Sequence, residues 1–182
     1  AIIVYTSGTS ANPKGVIQSI GSLIENGNYF IQQYALDNEN RFLNFLSLSY
    51  LGGYYNLLLI PFLCGGSLVL TKPFDTSLAL EFWNIVKKYN INTLWFVPSI
   101  LSLIMKIDRN KKRFKYTKEH IKVAFIGMDY VRSDIKNIFE EKYGVPIFEN
   151  YGLTETLFLS LQKNKDYIDN SGEVLNGVKI RI

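Results

Sequence analysis

The sequence predicts an α/β fold, a largely parallel sheet flanked by helices, and three observations carry that reading. Apolar runs rich in β-branched residues alternate with segments of helical period along most of the chain. Glycine- and hydroxyl-bearing connections follow several of those runs, as at Thr6-Ser7-Gly8, Gly127 and Asn150-Tyr151-Gly152. From Phe42 to Thr71 there is no charged residue, which suits elements buried in a parallel sheet and its flanks.

Taken in order, Ile2-Ile3-Val4-Tyr5 is expected as a buried strand that breaks into a loop of hydroxyls and glycines ending at Pro13-Lys14-Gly15. Apolar residues at Ile17, Ile20, Leu23, Ile24, Phe30, Ile31 and Tyr34 have helical spacing, so an amphipathic helix over 17–34 should follow that loop directly. The uncharged stretch is long enough to raise a membrane span. Gly52-Gly53, Pro61 and Gly65-Gly66 interrupt it, and no remaining piece can cross ~30 Å of hydrocarbon. It therefore divides into a strand (41–47), a helix (53–64) and a strand (67–71). Pro73-Phe74-Asp75-Thr76-Ser77 is a turn with helix-capping residues. Leu78, Phe82, Ile85, Val86 and Tyr89 then mark one helical face. A strand over 92–97 ends at Pro98-Ser99 and leads to a short helix over 100–107. A basic loop comes next, then a strand over 121–126. A helix from Ser133 to Tyr143 should turn Ile135, Ile138 and Phe139 inward, before a strand over 145–149. The last alternating residues, 178–182, are expected as one more strand.

At 182 residues, 47% hydrophobic and 20% charged, the chain suits one folded domain with a real core. The net charge of +4 is concentrated. Residues 106–119 alone carry +5, which describes a solvated excursion rather than a nucleic-acid surface. Phe114 and Tyr116 are too few for a base-stacking platform. The single cysteine, Cys64, lies in apolar sequence and reads as a small hydrophobe in a reducing, cytoplasmic compartment. The single histidine, His120, ends the basic loop and reads as a surface residue, and no His/Cys cluster suggests zinc. Trp95 and Phe96 read as core. The first residue is not Met and both ends fall in strand-like sequence, so the chain is expected to be a piece of a longer protein.

Two motifs stand out. The loop Thr6-Ser7-Gly8-Thr9-Ser10-Ala11-Asn12-Pro13-Lys14-Gly15 offers backbone N–H groups, hydroxyl donors and one cation, the equipment for a phosphate chain. Its glycines match neither the P-loop nor the dinucleotide spacing, and an ordinary strand-to-helix loop would look much the same. Asn150-Tyr151-Gly152-Leu153-Thr154-Glu155 places an aromatic, a glycine, a hydroxyl and a carboxylate within one short segment. It could serve a nucleotide and Mg²⁺, or it could be a turn with a capped helix start.

The ordered string from Tyr5 to Val16 closely resembles the phosphate-binding signature of adenylate-forming (AMP-binding) enzymes, among them acyl-CoA synthetases. Here Ser10 and Ala11 stand where that family has Thr and Gly. Tyr151-Gly152-x-Thr154-Glu155 resembles the family's second hallmark at roughly the family's separation. Gly127-Met128-Asp129 is similar in position to a third, glycine-containing loop. The resemblance covers nearly the whole chain and implies the central portion of the large domain of an acetyl-CoA synthetase-like fold (residues 1–182), with the small C-terminal domain absent. It implies that Thr6, Ser7, Gly8, Thr9, Ser10, Lys14 and Gly15 hold the β- and γ-phosphates of ATP. Gly127, Asn150, Tyr151 and Gly152 would border the adenine, Thr154 would contact the α-phosphate and Glu155 would bind Mg²⁺. Lys14, Thr154 and Glu155 are thus the implied catalytic set. The implied reaction joins a small carboxylate to AMP and then to the thiol of coenzyme A or of a carrier protein's phosphopantetheine. A nucleotide-binding relative without ligase activity is the alternative. With no carboxylate between Arg41 and Asp75 to meet an ammonium group, an aliphatic or aromatic acid is expected rather than an α-amino acid.

Overall fold

The structure is a computed structural model that describes residues 1–6, 12–110, 112–163, 170 and 172–181. Its centre is a seven-stranded sheet of β3 (Arg41–Asn44), β4 (Ser67–Leu70), β5 (Thr93–Phe96), β6 (Val123–Ile126), β7 (Ile147–Leu153), β8 (Leu157–Leu161) and β9 (Glu173–Val174). The spatial order is β4-β3-β5-β6-β7-β8-β9. The pairs from β4 to β7 are parallel, and β8 and β9 add antiparallel. The expected largely parallel sheet with flanking helices is therefore present. Its antiparallel end, β8 and β9, goes beyond the expectation.

The first two elements differ from the sequence reading. β1 (Ile2–Thr6) is not a buried strand of that sheet. It pairs antiparallel with β2 (Lys14–Gln18) in a separate hairpin, with Thr6 opposite Lys14 and Tyr5 opposite Gly15. The 14–18 segment alternates, and hairpin pairing satisfies its backbone where the apolar period suggests a helix. The helix α1 (Ile20–Tyr34) begins only after that strand, capped by Ser19, whose Oγ accepts from Ser22 N at 2.9 Å. Its N-terminus accordingly does not follow the phosphate-type loop directly. Ile17, Ile20 and Ile24 are exposed, so the buried stripe of this helix is Leu23, Gly27 and Phe30.

Phe30 is the pin that holds α1 to the sheet. Its ring stacks on Trp95 of β5 at 4.7 Å and on Phe158 of β8 at 4.6 Å, and meets Phe125 of β6 edge-on at 5.2 Å. Trp95 and Phe96 are fully buried, as their sequence reading as core requires. Towards the other side of the sheet, β3 and β5 share a short ladder, and side chains extend it. Asn92 Oδ1 accepts from Arg41 N at 2.7 Å and from Thr93 Oγ1 at 2.9 Å, and Asn40 Nδ2 donates to Thr93 Oγ1 at 2.8 Å.

The apolar segment after β3 winds as a π-helix over Gly52–Leu59 and continues as α2 (Ile60–Leu63). Gly27 of α1 lets this element come close: a methyl group there would sit 2.9 Å from Leu63 Cδ1. α3 (Thr76–Lys88) is capped by Asp75, which accepts from Leu78 N at 2.8 Å and pairs with Lys72 at 2.6 Å. α4 (Pro98–Ile107) starts on proline, and α6 (Ser133–Tyr143) ends at Gly144 with φ 67°. Phe139 is buried as expected, while Ile138 is exposed.

Most of the expected basic loop is helical, α5 (Arg113–His120). Thr117, fully buried, donates to Tyr143 O at 2.5 Å, and Lys142 Nζ donates to Met105 O and Asp108 O. These bonds anchor a segment whose charges alone read as solvated. Residues 178–181 are not in a strand. Cys64 is partly buried, and His120 stays on the surface, its ring stacked on Tyr116 at 4.4 Å. Among the described residues no helix is long and apolar enough to cross a membrane.

Two outcomes are expected in denaturation experiments. Phe30→Ala should cost about 3–5 kcal/mol in urea unfolding; a loss under about 1 kcal/mol would contradict its role as the pin. Bonds from Lys72, Leu78 N and Ser77 hold the Asp75 carboxyl down to about 2. A depressed carboxyl stabilises above its unfolded value and loses that contribution as pH falls through its folded one. Asp75→Asn, which still caps but does not titrate, should therefore flatten the acid limb of stability between about pH 4 and pH 2. An unchanged limb would be the contrary result.

Candidate functional site

Beyond β6 and along the C-terminal half of β7 the chain meets the segment 50–52, and several backbone contacts here are close. Gly127 lies so near Asn150 that a Cβ at 127 would stand only 2.6 Å from the Asn150 carbonyl oxygen, so only glycine fits. Asn150 is buried, and its Nδ2 donates to Ile126 O at 3.1 Å. That amide therefore clamps the ends of β6 and β7 together. After Gly127, Met128 takes φ 69° and its thioether packs on Gly52. Gly53 in turn lies against Ser47 O, and its carbonyl accepts from Asn44 Nδ2 at 3.0 Å.

β7 runs straight through the second motif. Asn150, Tyr151, Gly152 and Leu153 are strand residues paired with β8, with a register shift between Tyr151 and Gly152. Thr154, Glu155 and Thr156 form the hairpin turn. No helix starts after this motif; Thr156 N closes on Leu153 O at 3.2 Å instead. Gly152 has no room for a side chain against Leu157 O.

Two cavities meet at this wall and share Met128, Asn150, Gly152 and Leu153. The larger, about 570 Å³, is bounded by the half-exposed ring of Tyr151 and by Asp129 and Tyr130. The Lys136–Glu149 ion pair, 3.0 Å, gives it a charged floor, and Gln162 Oε1 accepts from Lys136 Nζ at 3.2 Å and from Glu149 N at 3.1 Å. The smaller, about 120 Å³, reaches between the π-helix and β8 and is bounded by Tyr50, Gly52, Tyr55, Asn56 and Phe158. Burial raises the pKa of both tyrosines, and the Asp129 charge raises that of Tyr50 further. Both phenols are neutral at physiological pH.

The hairpin reaches this site through one residue that sequence reasoning missed. Gln18, buried at the end of β2, donates from Nε2 to Thr154 O at 2.6 Å. Asn26 of α1 holds β8 just after that turn, donating to Phe158 O and accepting from Phe158 N and from the Tyr55 hydroxyl. The inward position of Gln18 is legible only with the two-residue period of a strand, not with a helical one. Lys136, Gln162 and Asn26 carry no local sequence signal at all.

The expected residues are thus brought together in part. Gly127 abuts the wall through Asn150, and Asn150, Tyr151, Gly152 and Thr154 border the two cavities. Glu155 is exposed and turns to a third cavity with Gln18, Glu25 and Asn26. Thr6 and Lys14 sit opposite each other on the hairpin, the Thr6 hydroxyl 3.5 Å from Lys14 O, and Gly15 is the next pair along. Lys14 is four strand residues from Gln18, about 13 Å. Ser7, Gly8, Thr9 and Ser10 lie outside the described residues. Among the described residues no group of three or more His, Cys, Asp or Glu could hold a metal. A single exposed carboxylate fits Mg²⁺, which takes one or two carboxylates and fills its shell with phosphate oxygens and water.

The family of AMP-binding enzymes matches residues 1–182. The sulfoacetate–CoA ligase of Cupriavidus necator is 27% identical over 163 residues, 86% of this chain and 29% of that protein. The mitochondrial malonate–CoA ligase of Bos taurus is 28% identical over 196 residues, 100% of this chain and 33% of that protein. The chain thus spans about a third or less of these relatives' lengths. The crystal structure of ATP-bound MatB from Rhodopseudomonas palustris superposes with a TM-score of 0.80 at 21% identity, covering 95% of this chain and 33% of that one. O-succinylbenzoate coenzyme A synthetase from Bacillus subtilis, in complex with ATP and magnesium ion, gives 0.79 at 21% identity over 96% and 35%. At that identity the structural likeness establishes the fold.

Gln18→Leu removes the one described hydrogen bond between hairpin and turn. It should cost about 1 kcal/mol of stability and raise amide exchange across residues 154–156. Exchange that is unchanged there would mean the hairpin is held by other contacts.

Proposed function

The chain belongs to the AMP-binding enzyme family, and from that membership we propose that the protein carrying it activates a carboxylic acid with ATP. The substrate carboxylate oxygen attacks the α-phosphorus, the bond from that phosphorus to the β-bridging oxygen breaks, and pyrophosphate leaves. A thiolate of coenzyme A, or of a carrier protein's phosphopantetheine, then attacks the acyl carbon and AMP departs. The observation that carries the reading is the Gln18–Thr154 hydrogen bond, since it joins the phosphate-type hairpin to the turn that bears Thr154 and Glu155.

The residues divide the work. Thr6, Ser7, Gly8, Thr9, Ser10, Lys14 and Gly15 cradle the β- and γ-phosphates with N–H groups, hydroxyls and one cation. The Tyr151 face receives the adenine in the larger cavity. The clamp between Asn150 and the 126–127 backbone keeps that wall rigid, so Asn150 acts on the base through the wall it holds. Thr154 donates to the α-phosphate and Glu155 holds Mg²⁺. The ion supplies charge neutralisation for the phosphate oxygens. The protein's part is to hold acid and α-phosphorus in line and to stabilise charge as it moves to the leaving group. In this reading residues 1–182 are the central portion of a large nucleotide-binding domain.

The test is pyrophosphate release by the full-length protein with Mg-ATP and a panel of carboxylates. Carboxylate-dependent release should fall about 10²-fold or more in Glu155→Ala, with a higher Mg²⁺ requirement. Release that survives the substitution unchanged removes Glu155 from the metal site. ATP binding without release on any acid favours a nucleotide-binding relative without ligase activity, and no ATP binding at all refutes the reading of the hairpin.

A further inference from the structure

The two cavities that share the Asn150–Leu153 wall differ in size and in charge, and that difference bears on the acid. The larger holds Asp129, Lys136 and Glu149. The smaller is walled by Tyr50, Gly52, Tyr55, Asn56, Met128 and Phe158, with no Asp, Glu, Lys, Arg or His among its lining residues. A volume of about 120 Å³ is a little under the ~150 Å³ of an apolar cavity that admits benzene. It accommodates about four or five carbon-sized groups.

Among the described residues that lining holds no cation to pair with a charged tail, and an ion without a partner is disfavoured in such a space. Asp129, close enough to Tyr50 to act on its hydroxyl, would repel a second carboxylate. The Tyr55 hydroxyl is committed to Asn26 Oδ1 at 2.9 Å. At the far side, Tyr50 and Leu51 line both this cavity and another against β1.

Two residues set the depth. Gly52 leaves space that the Met128 thioether fills: a methyl group at 52 would overlap Met128 Sδ and press on the Tyr50 ring. Met128 is unbranched and flexible, so it can be displaced into the cavity or removed from it. Its φ of 69° is a conformation that glycine adopts without strain.

Resting on the carboxylate-activating function proposed above, we propose that this cavity takes the acyl group of a short, uncharged carboxylic acid, about three to five carbons long, whose length is set by Met128 against Gly52. The two positions act in opposite senses. Gly52→Ala pushes the thioether inward and shortens the space, and Met128→Gly empties it and lengthens the space.

The experiment uses the full-length protein with linear acids from acetate to decanoate, plus benzoate, malonate and succinate. It reads pyrophosphate release as kcat/KM for each acid, and calorimetric binding of butyrate, octanoate and malonate alongside. The wild type should favour propionate to pentanoate at least tenfold over octanoate and over malonate. Gly52→Ala should move the optimum toward acetate and propionate, and Met128→Gly toward hexanoate or longer. A wild type that uses malonate or octanoate as well as butyrate overturns the proposal while leaving carboxylate activation standing. Equal loss on every acid in both variants also overturns it, since damage to the fold has no length dependence. If no acid releases pyrophosphate, the binding series decides. Tighter butyrate with opposite shifts in the two variants upholds the cavity and retires the activation chemistry, and unselective or absent binding overturns both.

Discussion

The approach of Gly127 to Asn150 governs the rest of the site. Parallel strands normally diverge from each other's loops once their ladder ends. Here a side-chain amide bonds across to Ile126 O and the backbones touch where a Cβ would not fit. The consequence is a rigid wall at the strand ends that two cavities share. Met128, forced into left-handed backbone just beyond that contact, leans on Gly52 and joins the sheet to the π-helix. A residue with a side chain at 127 would separate β6 from β7 and merge or collapse both spaces.

The second constraint is aromatic. Phe30, Trp95, Phe125 and Phe158 come from a helix and three strands and pack as one cluster. This cluster holds α1 against the antiparallel end of the sheet, and α1 in turn presents Asn26 to Phe158 of β8. The site is therefore built from both kinds of strand pairing. The parallel half supplies loop ends of the kind that open toward ligands, and the antiparallel half supplies a short hairpin turn whose backbone Gln18 holds, next to the β8 residue that Asn26 holds.

Much of this is legible in residue order. The α/β rhythm, the core role of Trp95 and the two motifs follow from hydrophobic period and from residue types that suit phosphate, whereas the uncharged stretch is only partly buried, with Leu48, Tyr50, Phe62 and Leu70 exposed. The differences have physical causes. Segment 14–18 alternates too briefly to be told from the start of the helix that follows it. Glycine and polar residues break the strand signal of β7 at 149, yet Asn150 to Leu153 remain paired because β8 covers them. The basic segment reads as solvated because its charges are largely outward, while Thr117, Arg113 and Lys142 tie it down from within. Arg113 sits 3.4 Å from Asp108 and over the Trp83 ring, contacts that no local pattern announces.

Residue order alone establishes which side chains are available for chemistry and how they are grouped. It gives two motifs far apart in the chain, polar groups suited to phosphate and magnesium, no His/Cys cluster of the kind zinc requires, and an apolar stretch without charge. How these meet is a tertiary matter: Gln18 on Thr154, Met128 on Gly52, and Tyr151 and Glu155 on different cavities although only four positions apart. The physical reason is that motif identity is a local property of side-chain chemistry. Juxtaposition depends on strand register and on contacts between residues far apart in the chain, where a one-residue slip turns every side chain to the opposite face.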